Sequence, residues 1–335
     1  MHCAMSHATL SDTHHAYEGP PQTQGLLILK GTIMTETQRK PWHGIHVASA
    51  LPFTDDLKVD YDAFAEHVEF LAENGCHGIA PNGSLGEYQT LTEEERARVI
   101  STAVEAAPEG FTVMAGVGAY GALESKRWAE QAAEAGAQSV MLLPPNTYRA
   151  SDDEVIDHYR RVAEVGLPIV GYNNPVDTKV DLRPELIARL HNEGYIVAVK
   201  EFTGDPRRAY EIKELAPEMD LLIGTDDTVL EMGIAGAVGW VAGYPNAIPE
   251  STVELYRLST SGDVADIERA RQIYRDLHKL LRWDTKTEFV QSIKLSMDVV
   301  GLKGGNCRPP RGPLTPRNHE QVIQDTKEVL AKGYK

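Results

Sequence analysis

The sequence predicts one closed (β/α)8 barrel with a C-terminal helical extension, and three observations lead to this fold class. Residues 41–262 alternate between short apolar runs and segments with helical spacing, which gives eight strand–helix units. The connections between units are short, as consecutive parallel strands with covering helices require. No G-x-G-x-x-G turn follows any of the strands, so the alternative, a doubly wound sheet, lacks its usual first turn.

The eight predicted strands are short and apolar, as expected for a parallel sheet that is covered on both faces. They span residues 44–51, 78–81, 111–116, 139–143, 168–172, 196–200, 220–224 and 238–242. The sixth strand is unusual because it ends in a lysine, Lys200.

Each strand is followed by a segment with the periodicity of an amphipathic helix. These segments cover residues 61–73, 92 onward, 120–135, 151–165, 183–192, 206–216, 226–234 and 249–259. Two of them open with the sequence pattern of a capping box, at Thr92 and at Ser151, which fixes where those helices begin.

The chain divides into three predicted parts. Residues 1–40 show no sustained periodicity and predict a disordered or loosely docked extension, within which Met34 is a candidate for the biological start. Residues 41–262 form the barrel. Residues 263–335 predict three further helices, at 264–281, 286–300 and 319–331, that pack on the barrel without forming a core of their own.

Composition excludes several classes of protein. A formal net charge of -16 argues against nucleic acid as a partner, and no apolar run is long enough to cross a bilayer. Cys3, Cys76 and Cys307 are too widely spaced for a disulfide framework or a zinc site, and no His, Asp or Glu cluster has metal-ligand spacing. We therefore expect a cytoplasmic protein without a metal.

Lys200 is the first candidate for chemistry, because the active site of a (β/α)8 barrel lies at the carboxyl ends of the strands. Burial lowers the pKa of a lysine, and the free amine can form a Schiff base with a ketone. The alternative is a lysine whose aliphatic stem packs at the strand end while its ammonium reaches water.

Two further features lie at the same predicted edge. Tyr172 ends the fifth strand, where a phenol can transfer a proton, and the Gly-Ser-Leu-Gly turn at 83–86 offers backbone N–H groups to a carboxylate. Together with Lys200 they suit Schiff-base chemistry on a 2-keto acid. The structural alternatives are a tyrosine that only packs and a turn that only reverses the chain.

The remaining strand ends supply weaker candidates. Thr225, Asp226, Gly243 and Asn246 follow the seventh and eighth strands and are candidate substrate contacts. Asp226 suits the N-cap of the next helix equally well. Glu87, just after the Gly-Ser-Leu-Gly turn, is expected to cap or hydrogen-bond that turn.

In this order the motifs resemble the dihydrodipicolinate synthase / N-acetylneuraminate lyase family of class I Schiff-base enzymes, over residues 42–314. The matching motifs are Gly-Ser-Leu-Gly-Glu at 83–87, Tyr-Asn-Asn-Pro at 172–175, Val-Lys-Glu-Phe-Thr-Gly-Asp at 199–205, Gly-Ala-Val-Gly at 236–239 with Asn246, and Cys-Arg-Pro-Pro-Arg-Gly-Pro-Leu at 307–314. The resemblance implies Lys200 as the imine-forming lysine, Tyr172 as acid and base, and Gly83 and Ser84 at the substrate carboxylate. It also implies Ser84 as a proton relay to Tyr172, no cofactor besides the lysine imine, and a homo-oligomer, either a tetramer or a dimer.

Three positions depart from the pattern of the synthases in this family. Asp177 stands where they carry an arginine for the second substrate's carboxylate, Leu85 replaces a hydroxyl residue of the turn, and Asn146 replaces a tyrosine after the fourth strand. These departures argue against lysine biosynthesis. Leu85 and Asn174 also make the site less hydroxylated than that of a sialic acid lyase.

The motifs, with Trp-Asp-Thr-Lys at 283–286, look most like a catabolic branch that includes 1-pyrroline-4-hydroxy-2-carboxylate deaminase and 2-keto-3-deoxy-pentonate dehydratases. This resemblance implies a small 4-hydroxy-2-keto acid or its cyclic imine as substrate, contacted by Gly83, Leu85, Asn146 and Asn174, and 2,5-dioxopentanoate as product. A retro-aldol lyase that releases pyruvate would use the same lysine, and a barrel that only binds ligands is a further alternative. The motifs alone do not separate these readings.

Overall fold

Parallel strands close into a barrel in the computed structural model, which describes residues 39–146 and 148–335. The strands are β1 Gly44–Ala48, β2 Gly78–Ala80, β3 Thr112–Gly116, β4 Ser139–Leu142, β5 Ile169–Asn173, β6 Ala198–Glu201, β7 Asp220–Ile223 and β8 Gly239–Ala242. Each strand pairs with the next one in the sequence, and β8 pairs with β1. The predicted (β/α)8 barrel is therefore confirmed.

Helices separate the strands and continue after the barrel. They are α1 Tyr61–Glu73, α2 Glu93–Ala106, α3 Ala122–Ala135, α4 Asp152–Ala163, α5 Pro175–Thr178, α6 Pro184–Asn192, α7 Arg207–Leu215, α8 Val229–Ile234, α9 Pro249–Ser259, α10 Val264–Leu281, α11 Phe289–Val299 and α12 Pro316–Ala331. Short 3-10 turns at Tyr88–Thr90, Asp226–Thr228 and Tyr244–Asn246 follow β2, β7 and β8. Both predicted capping boxes form, at Thr92 and at Ser151.

Several element boundaries differ from the sequence prediction by a few residues, as for α11, which begins at Phe289 and not at residue 286. Two of these differences have clear local reasons. β1 ends at Ala48 and not at residue 51, because the chain leaves the sheet and Phe53 pairs with Val59 in an isolated antiparallel bridge. α3 begins at Ala122 and not at residue 120, because the backbone of Gly121 is still extended. Apolar patterning marks the element in each case, but the backbone at its end decides the boundary.

The start of α12 and the presence of α5 also differ from the sequence prediction. α12 begins at Pro316, ahead of the predicted residue 319, because the Thr315 side chain caps it by accepting the N–H of Asn318. The single-turn helix α5 was not predicted, since four residues are too few to show a helical period. Asn174 caps α5, and Pro175 is its first residue.

Side chains alternate between two apolar layers along each strand. The larger layer lies between the strands and the helices, and the smaller one fills the barrel interior. The interior layer contains Trp42, Ala80, Met114, Met141, Val170, Tyr172, Ala198, Leu222 and Val241. Ala198 belongs to the interior layer and Val199 to the outer one, so the alternation points Lys200 into the barrel.

Residues Arg39–Lys335 form one compact unit that includes the C-terminal helices. α10 packs on α8 and α9, and α12 packs on α10 and α11. α11 also contacts the 3-10 turn Tyr244–Asn246, which follows β8 at the mouth of the barrel. The predicted N-terminal extension lies outside the described residues, apart from Arg39 and Lys40.

The described residues contain neither a helix suited to cross a membrane nor a cluster of side chains suited to hold a metal ion. None of the helices in this part of the chain has both the length and the hydropathy that a bilayer crossing requires. Nor do residues 39–146 and 148–335 place three or more His, Cys, Asp or Glu side chains so that they could hold a metal ion. Of the cysteines described, Cys76 is buried and Cys307 half-buried, and both are free thiols.

Candidate active site

Lys200 and Tyr172 lie side by side at the mouth of the barrel. The register of β5 and β6 pairs their Cα atoms, and both side chains point inward. The ammonium nitrogen of Lys200 stands 4.3 Å from the centre of the Tyr172 ring. Only 5% of Lys200 is exposed, so its ammonium does not reach bulk water at the strand end. The alternative of a lysine extended to solvent is therefore wrong.

Burial governs the ionisation of Lys200. It lowers the pKa of the amine to about 8, while Asp284 and then Asp226 act in the opposite direction. No carboxylate among the described residues forms an ion pair with this lysine within 4.0 Å. A buried amine with a lowered pKa and no ion-pair partner is a nucleophile that can form an imine near neutral pH.

Tyr172 is a buried phenol with one hydrogen-bond partner. Its Oη accepts a hydrogen bond from Nδ2 of Asn174 at 3.2 Å, and its ring packs edge-to-face on Phe202. Burial raises the pKa of Tyr172, and the bond from Asn174 partly offsets this effect. The group is thus protonated at neutral pH and can act first as a proton donor.

Asn174 connects Tyr172 to a carboxylate at the rim of the mouth. Its Nδ2 also donates to Oδ2 of Asp177 at 2.8 Å, and its Oδ1 accepts the backbone N–H of Asp177 at 3.3 Å. Asp177 is exposed, whereas Asn174 is buried. The helix α5, which the sequence did not predict, is what places these two residues next to the tyrosine.

The turn after β2 supplies the predicted backbone donors only in part. The N–H groups of Gly86 and Glu87 donate to the carbonyl oxygens of Gly83 and Ser84, both at 3.1 Å. Within the described chain, the N–H groups of Ser84 and Leu85 find no backbone acceptor and could donate to an anion. Ser84 is half-buried, and no hydrogen bond joins its side chain to Tyr172 in this structure.

Glu87 does not bond its own turn through its side chain. Its carboxylate is fully buried and forms an ion pair with Lys294 at 2.9 Å. Its second oxygen accepts the backbone N–H of Arg308 at 2.9 Å. Lys294 in turn donates to the carbonyl of Asn306 at 2.7 Å. This buried pair fastens the turn to α11 and to the segment that follows it.

Asp226 and Asp284 form a pair of buried carboxyl groups near Lys200. The carboxylate of Asp226 accepts from Nε1 of Trp240 at 3.0 Å and from the backbone N–H groups of Gly243 and Tyr244 at 3.1 and 2.8 Å. It therefore caps the 3-10 turn after β8, and not the start of its own helix. Burial, and next the neighbouring Asp284, raise the pKa of Asp226 well above its usual range.

Asp284 was missed by sequence reasoning, although the Trp-Asp-Thr-Lys motif at 283–286 contains it. It lies between α10 and α11, is buried, and accepts the backbone N–H of Asp226 at 3.3 Å. Burial raises its pKa to about 6, while the charge of Lys200 acts to lower it. No local pattern shows that this loop reaches the barrel mouth, so its position depends on the packing of α10 and α11.

Three of the predicted substrate contacts, Thr225, Gly243 and Asn246, form hydrogen bonds within the protein that hold loops together. Thr225 is buried and bonds the hydroxyl of Thr228 at 2.5 Å, and the N–H of Gly243 is occupied by Asp226. The amide of Asn246 bonds four partners and has no free group for a ligand. These partners are the N–H of Ala50, a ring nitrogen of His67, and the carbonyls of Ala48 and Gly243.

Asn146 stands at the rim, where it separates two depressions. One is lined by Tyr88 and Tyr120 among others, and the second by Arg149 and Asp177 among others. Asn146 is half-buried, whereas Gly83 and Leu85 are buried in the turn. The structure thus brings Lys200, Tyr172 and Asn174 into direct contact and leaves Asn146 at the rim.

Comparison with known proteins agrees with this architecture. Residues 41–329 match the sequence profile described as the Dihydrodipicolinate synthetase family. A relative from Methanothrix thermoacetophila, named 4-hydroxy-tetrahydrodipicolinate synthase, is 32% identical over 294 residues, which are 87% of this chain and 97% of the relative. An uncharacterized DapA-like lyase from Rhizobium meliloti is 31% identical over 295 residues, which are 88% of this chain and 97% of that protein. The solved structure of dihydrodipicolinate synthase from Aquifex aeolicus superposes with a TM-score of 0.80 and 30% identity, and the match covers 87% of this chain and 98% of that one. The chain therefore belongs to the dihydrodipicolinate synthetase family and is a lyase of that family.

Proposed function

We propose that this protein is a Schiff-base-forming lyase that converts a small 4-hydroxy-2-keto acid, or its cyclic imine, to 2,5-dioxopentanoate. The observation that carries the proposal is the buried amine of Lys200, which has no ion-pair partner within residues 39–146 and 148–335 and lies beside the phenol of Tyr172. An amine of this kind attacks carbonyl carbon, and a neighbouring phenol can transfer the protons that the reaction needs.

The first half of the reaction forms the imine. Nζ of Lys200 adds to C2 of the substrate, and the phenol of Tyr172 donates its proton to the group that leaves C2. In a keto acid this group is the resulting hydroxyl, which leaves as water, and in the cyclic imine it is the ring nitrogen, which becomes a free amine on C5. The substrate carboxylate is held by the N–H groups of Ser84 and Leu85 while this happens. Because burial raises the pKa of Tyr172, the phenolate that remains is a strong base.

The second half removes the 4-hydroxyl. The imine makes the C3 proton acidic, and the phenolate of Tyr172 takes this proton to give an enamine. The electron pair of the enamine expels the 4-hydroxyl, which takes a proton back from Tyr172 and leaves as water. After tautomerisation and hydrolysis of the imine, an open-chain 2-keto-3-deoxy-pentonate has lost one water. When the substrate is a 4-hydroxy-pyrroline, the amine on C5 also becomes an imine by tautomerisation and is hydrolysed, so one water is taken up in total and ammonia is released.

The charge at the rim favours elimination over condensation with a second substrate whose carboxylate must enter there. Asp177 is exposed beside the mouth and is tied to Asn174 next to the catalytic pair. A carboxylate at this place repels the carboxylate of an amino-acid semialdehyde, which a synthase has to admit. The catabolic branch therefore fits the rim better than the synthesis after which the curated relatives are named.

Product identification tests the proposal. Purified protein is given 2-keto-3-deoxy-pentonates of both stereochemistries, the pyrroline derived from 4-hydroxyproline, and pyruvate with aspartate semialdehyde. We expect 2,5-dioxopentanoate from the first two classes and no condensation product. Pyruvate released from a 2-keto-3-deoxy sugar acid would establish the retro-aldol alternative instead. A Lys200→Ala variant controls for contaminating enzymes.

We also propose that the protein assembles into a homodimer or a homotetramer. Tyr120, just before α3, and Leu123, within it, are 71% and 74% exposed, and Tyr148 and Val176 near the mouth are exposed as well. Large apolar side chains that are exposed together favour contact with a second copy. Light scattering coupled to size exclusion measures the mass directly, and a monomeric mass at micromolar concentration would contradict the proposal.

A further inference from the structure

The amide of Asn174 has a fixed orientation. A carboxylate can only accept hydrogen bonds and a backbone N–H can only donate them, so Oδ2 of Asp177 must face Nδ2 and the Asp177 N–H must face Oδ1. These two contacts form a reciprocal pair between the same two residues. The donor and the acceptor of Asp177 therefore determine which of the two amide orientations Asn174 adopts.

This orientation determines what Asn174 presents to the tyrosine. One hydrogen of Nδ2 is used by Asp177, and the other points to Oη of Tyr172 at 3.2 Å. Tyr172 is consequently the acceptor in this bond. A phenol that accepts at one lone pair directs its own O–H away from the donor.

The O–H of Tyr172 has few other hydrogen-bond acceptors within reach. Tyr172 and Asn174 are both buried, and no described residue other than Asn174 is hydrogen-bonded to Oη. The neighbouring charged group is the amine of Lys200, 4.3 Å from the ring centre. Turned away from Asn174, the O–H is free to bond a molecule bound at that amine.

We propose that Asn174 is a positioning residue that directs the proton of Tyr172 toward the substrate, and that Asp177 fixes Asn174 in the orientation that does so. This inference rests on the proposed Schiff-base chemistry, because it assigns Tyr172 the proton transfers of that reaction. The bond from Asn174 also stabilises the phenolate, so it helps the phenol to release its proton.

Two substitutions of Asn174 distinguish a role in directing the phenolic proton from a role in packing. Asn174→Asp keeps the shape and the capping oxygen but replaces a donor by an acceptor, which turns the phenolic proton away from the substrate. Asn174→Leu removes the donor and leaves the phenol free to rotate. If Asn174 only packed, the isosteric Asp would be the milder change. If it directs the proton, Asp is the more harmful one.

The measurement uses pyruvate, which needs no knowledge of the natural substrate. Borohydride trapping followed by mass spectrometry reports the imine at Lys200. Exchange of the pyruvate methyl protons in deuterium oxide, followed by NMR, reports removal of the C3 proton. We expect trapped adduct at saturating pyruvate in all variants, and exchange slowed on the order of 100-fold in Asn174→Asp and less in Asn174→Leu.

Two further variants complete the test. Val264→Ala changes an exposed side chain at the start of α10 and should exchange at the parent rate. The double variant Asn174→Asp with Asp177→Asn removes the contact between two carboxylates and should still exchange more slowly than Asn174→Leu. The double variant also provides the comparison with Asn174→Leu if the single variant Asn174→Asp does not fold.

The outcomes are distinct. No adduct with the parent protein overturns the proposed function and the role of Asn174 with it. Adduct and exchange in the parent, with Asn174→Asp at least as active as Asn174→Leu, overturn the role of Asn174 alone.

Discussion

At the scale of the residue, the ionisation of Lys200 sets the chemistry. Lys200 is 5% exposed, and this burial, which lowers its pKa to about 8, dominates over the opposing charges of Asp284 and Asp226. Deprotonating the amine at neutral pH therefore costs less than for a lysine in water, whose pKa is ~10.4. Burial therefore makes the free amine of Lys200 more available, and in the proposed reaction Tyr172 supplies the accompanying proton.

The first prediction concerns the pH dependence of imine formation. The free amine is the nucleophile, so the rate of borohydride-trapped adduct formation with pyruvate should rise with pH and level off above about 8. Below this pH the rate should fall about tenfold per unit, because the amine is then mostly protonated. A rate that keeps rising to pH 10 would show an ordinary lysine, and Lys200→Arg should form no adduct at any pH.

At the scale of the element, the C-terminal helices complete the barrel mouth. α11 contributes Lys294, which is paired with the buried Glu87 in the turn after β2. The loop before α11 contributes Asp284, and its carboxylate occupies the space that a side chain at Gly243 would need. The turn after β2 and the end of β8 are therefore both held in place by the C-terminal helical segment.

The second prediction concerns the buried ion pair. Lys294→Met removes the cation and leaves the carboxylate of Glu87 buried without it, so the free energy of unfolding should fall by about 3–5 kcal/mol. Urea denaturation measures this change. The double variant Lys294→Met with Glu87→Gln removes both charges and should recover part of the loss. Equal stability of the single and double variants would contradict the argument.

The third prediction concerns Gly243. A Cβ at this position would stand 2.6 Å from Oδ1 of Asp284 and 2.8 Å from Cδ1 of Ile293, so Gly243→Ala should destabilise the fold by about 1–3 kcal/mol. Gly121→Ala is the matched control, because no atom lies within 4 Å of its added Cβ. Thermal unfolding of the two variants compares them. A loss of similar size in both would show that the crowding around Gly243 is not the cause.

At the scale of the whole molecule, neutral histidines are built into the barrel. Burial lowers the pKa of His46 and of His158 to about 4, from an ordinary value of 6.5. His46 bonds the carbonyl of Pro41, and His158 the carbonyl of Leu143. Both rings are buried, so a positive charge on either imidazole would be poorly solvated.

The fourth prediction follows from these two histidines. Because each pKa is lower in the folded than in the unfolded chain, the unfolded chain binds more protons below pH 6.5, and stability must fall as the pH falls from there toward 4. Each histidine should contribute a loss of about 2 kcal/mol by pH 5. Urea unfolding at pH 7 and pH 5 measures the sum. The variant His46→Gln with His158→Gln should show a smaller difference between the two pH values, and an unchanged difference would contradict the assignment.

The fold was predictable from the sequence because its signals are local. Apolar runs, helical spacing and capping residues such as Thr92 recur in each unit and need no knowledge of distant contacts. The boundaries were less predictable. β1 and α3 end or begin where backbone conformation changes, and α5 is too short to have a period.

The candidate site was predictable in its main pair and not in its surroundings. Alternation along β6 points the side chain of Lys200 inward, and the register of β5 and β6 places it beside Tyr172. A buried strand that ends in a lysine is therefore enough to predict this pair. Glu87 and Asp284 are different, because their partners lie far away in the sequence. Nothing near Glu87 indicates that its counter-ion is Lys294.

By itself, the sequence determined the barrel and the placement of Lys200 beside Tyr172 at its mouth, because each depends on the period of one strand and on the order of strands. Only the tertiary structure decided which charges face that lysine and which way the phenol of Tyr172 is turned. Those properties come from Asp284, Asn174 and Asp177, whose positions follow from helix packing and from a single-turn helix. Electrostatics and hydrogen-bond direction depend on distances between groups in three dimensions, and a linear pattern does not contain those distances.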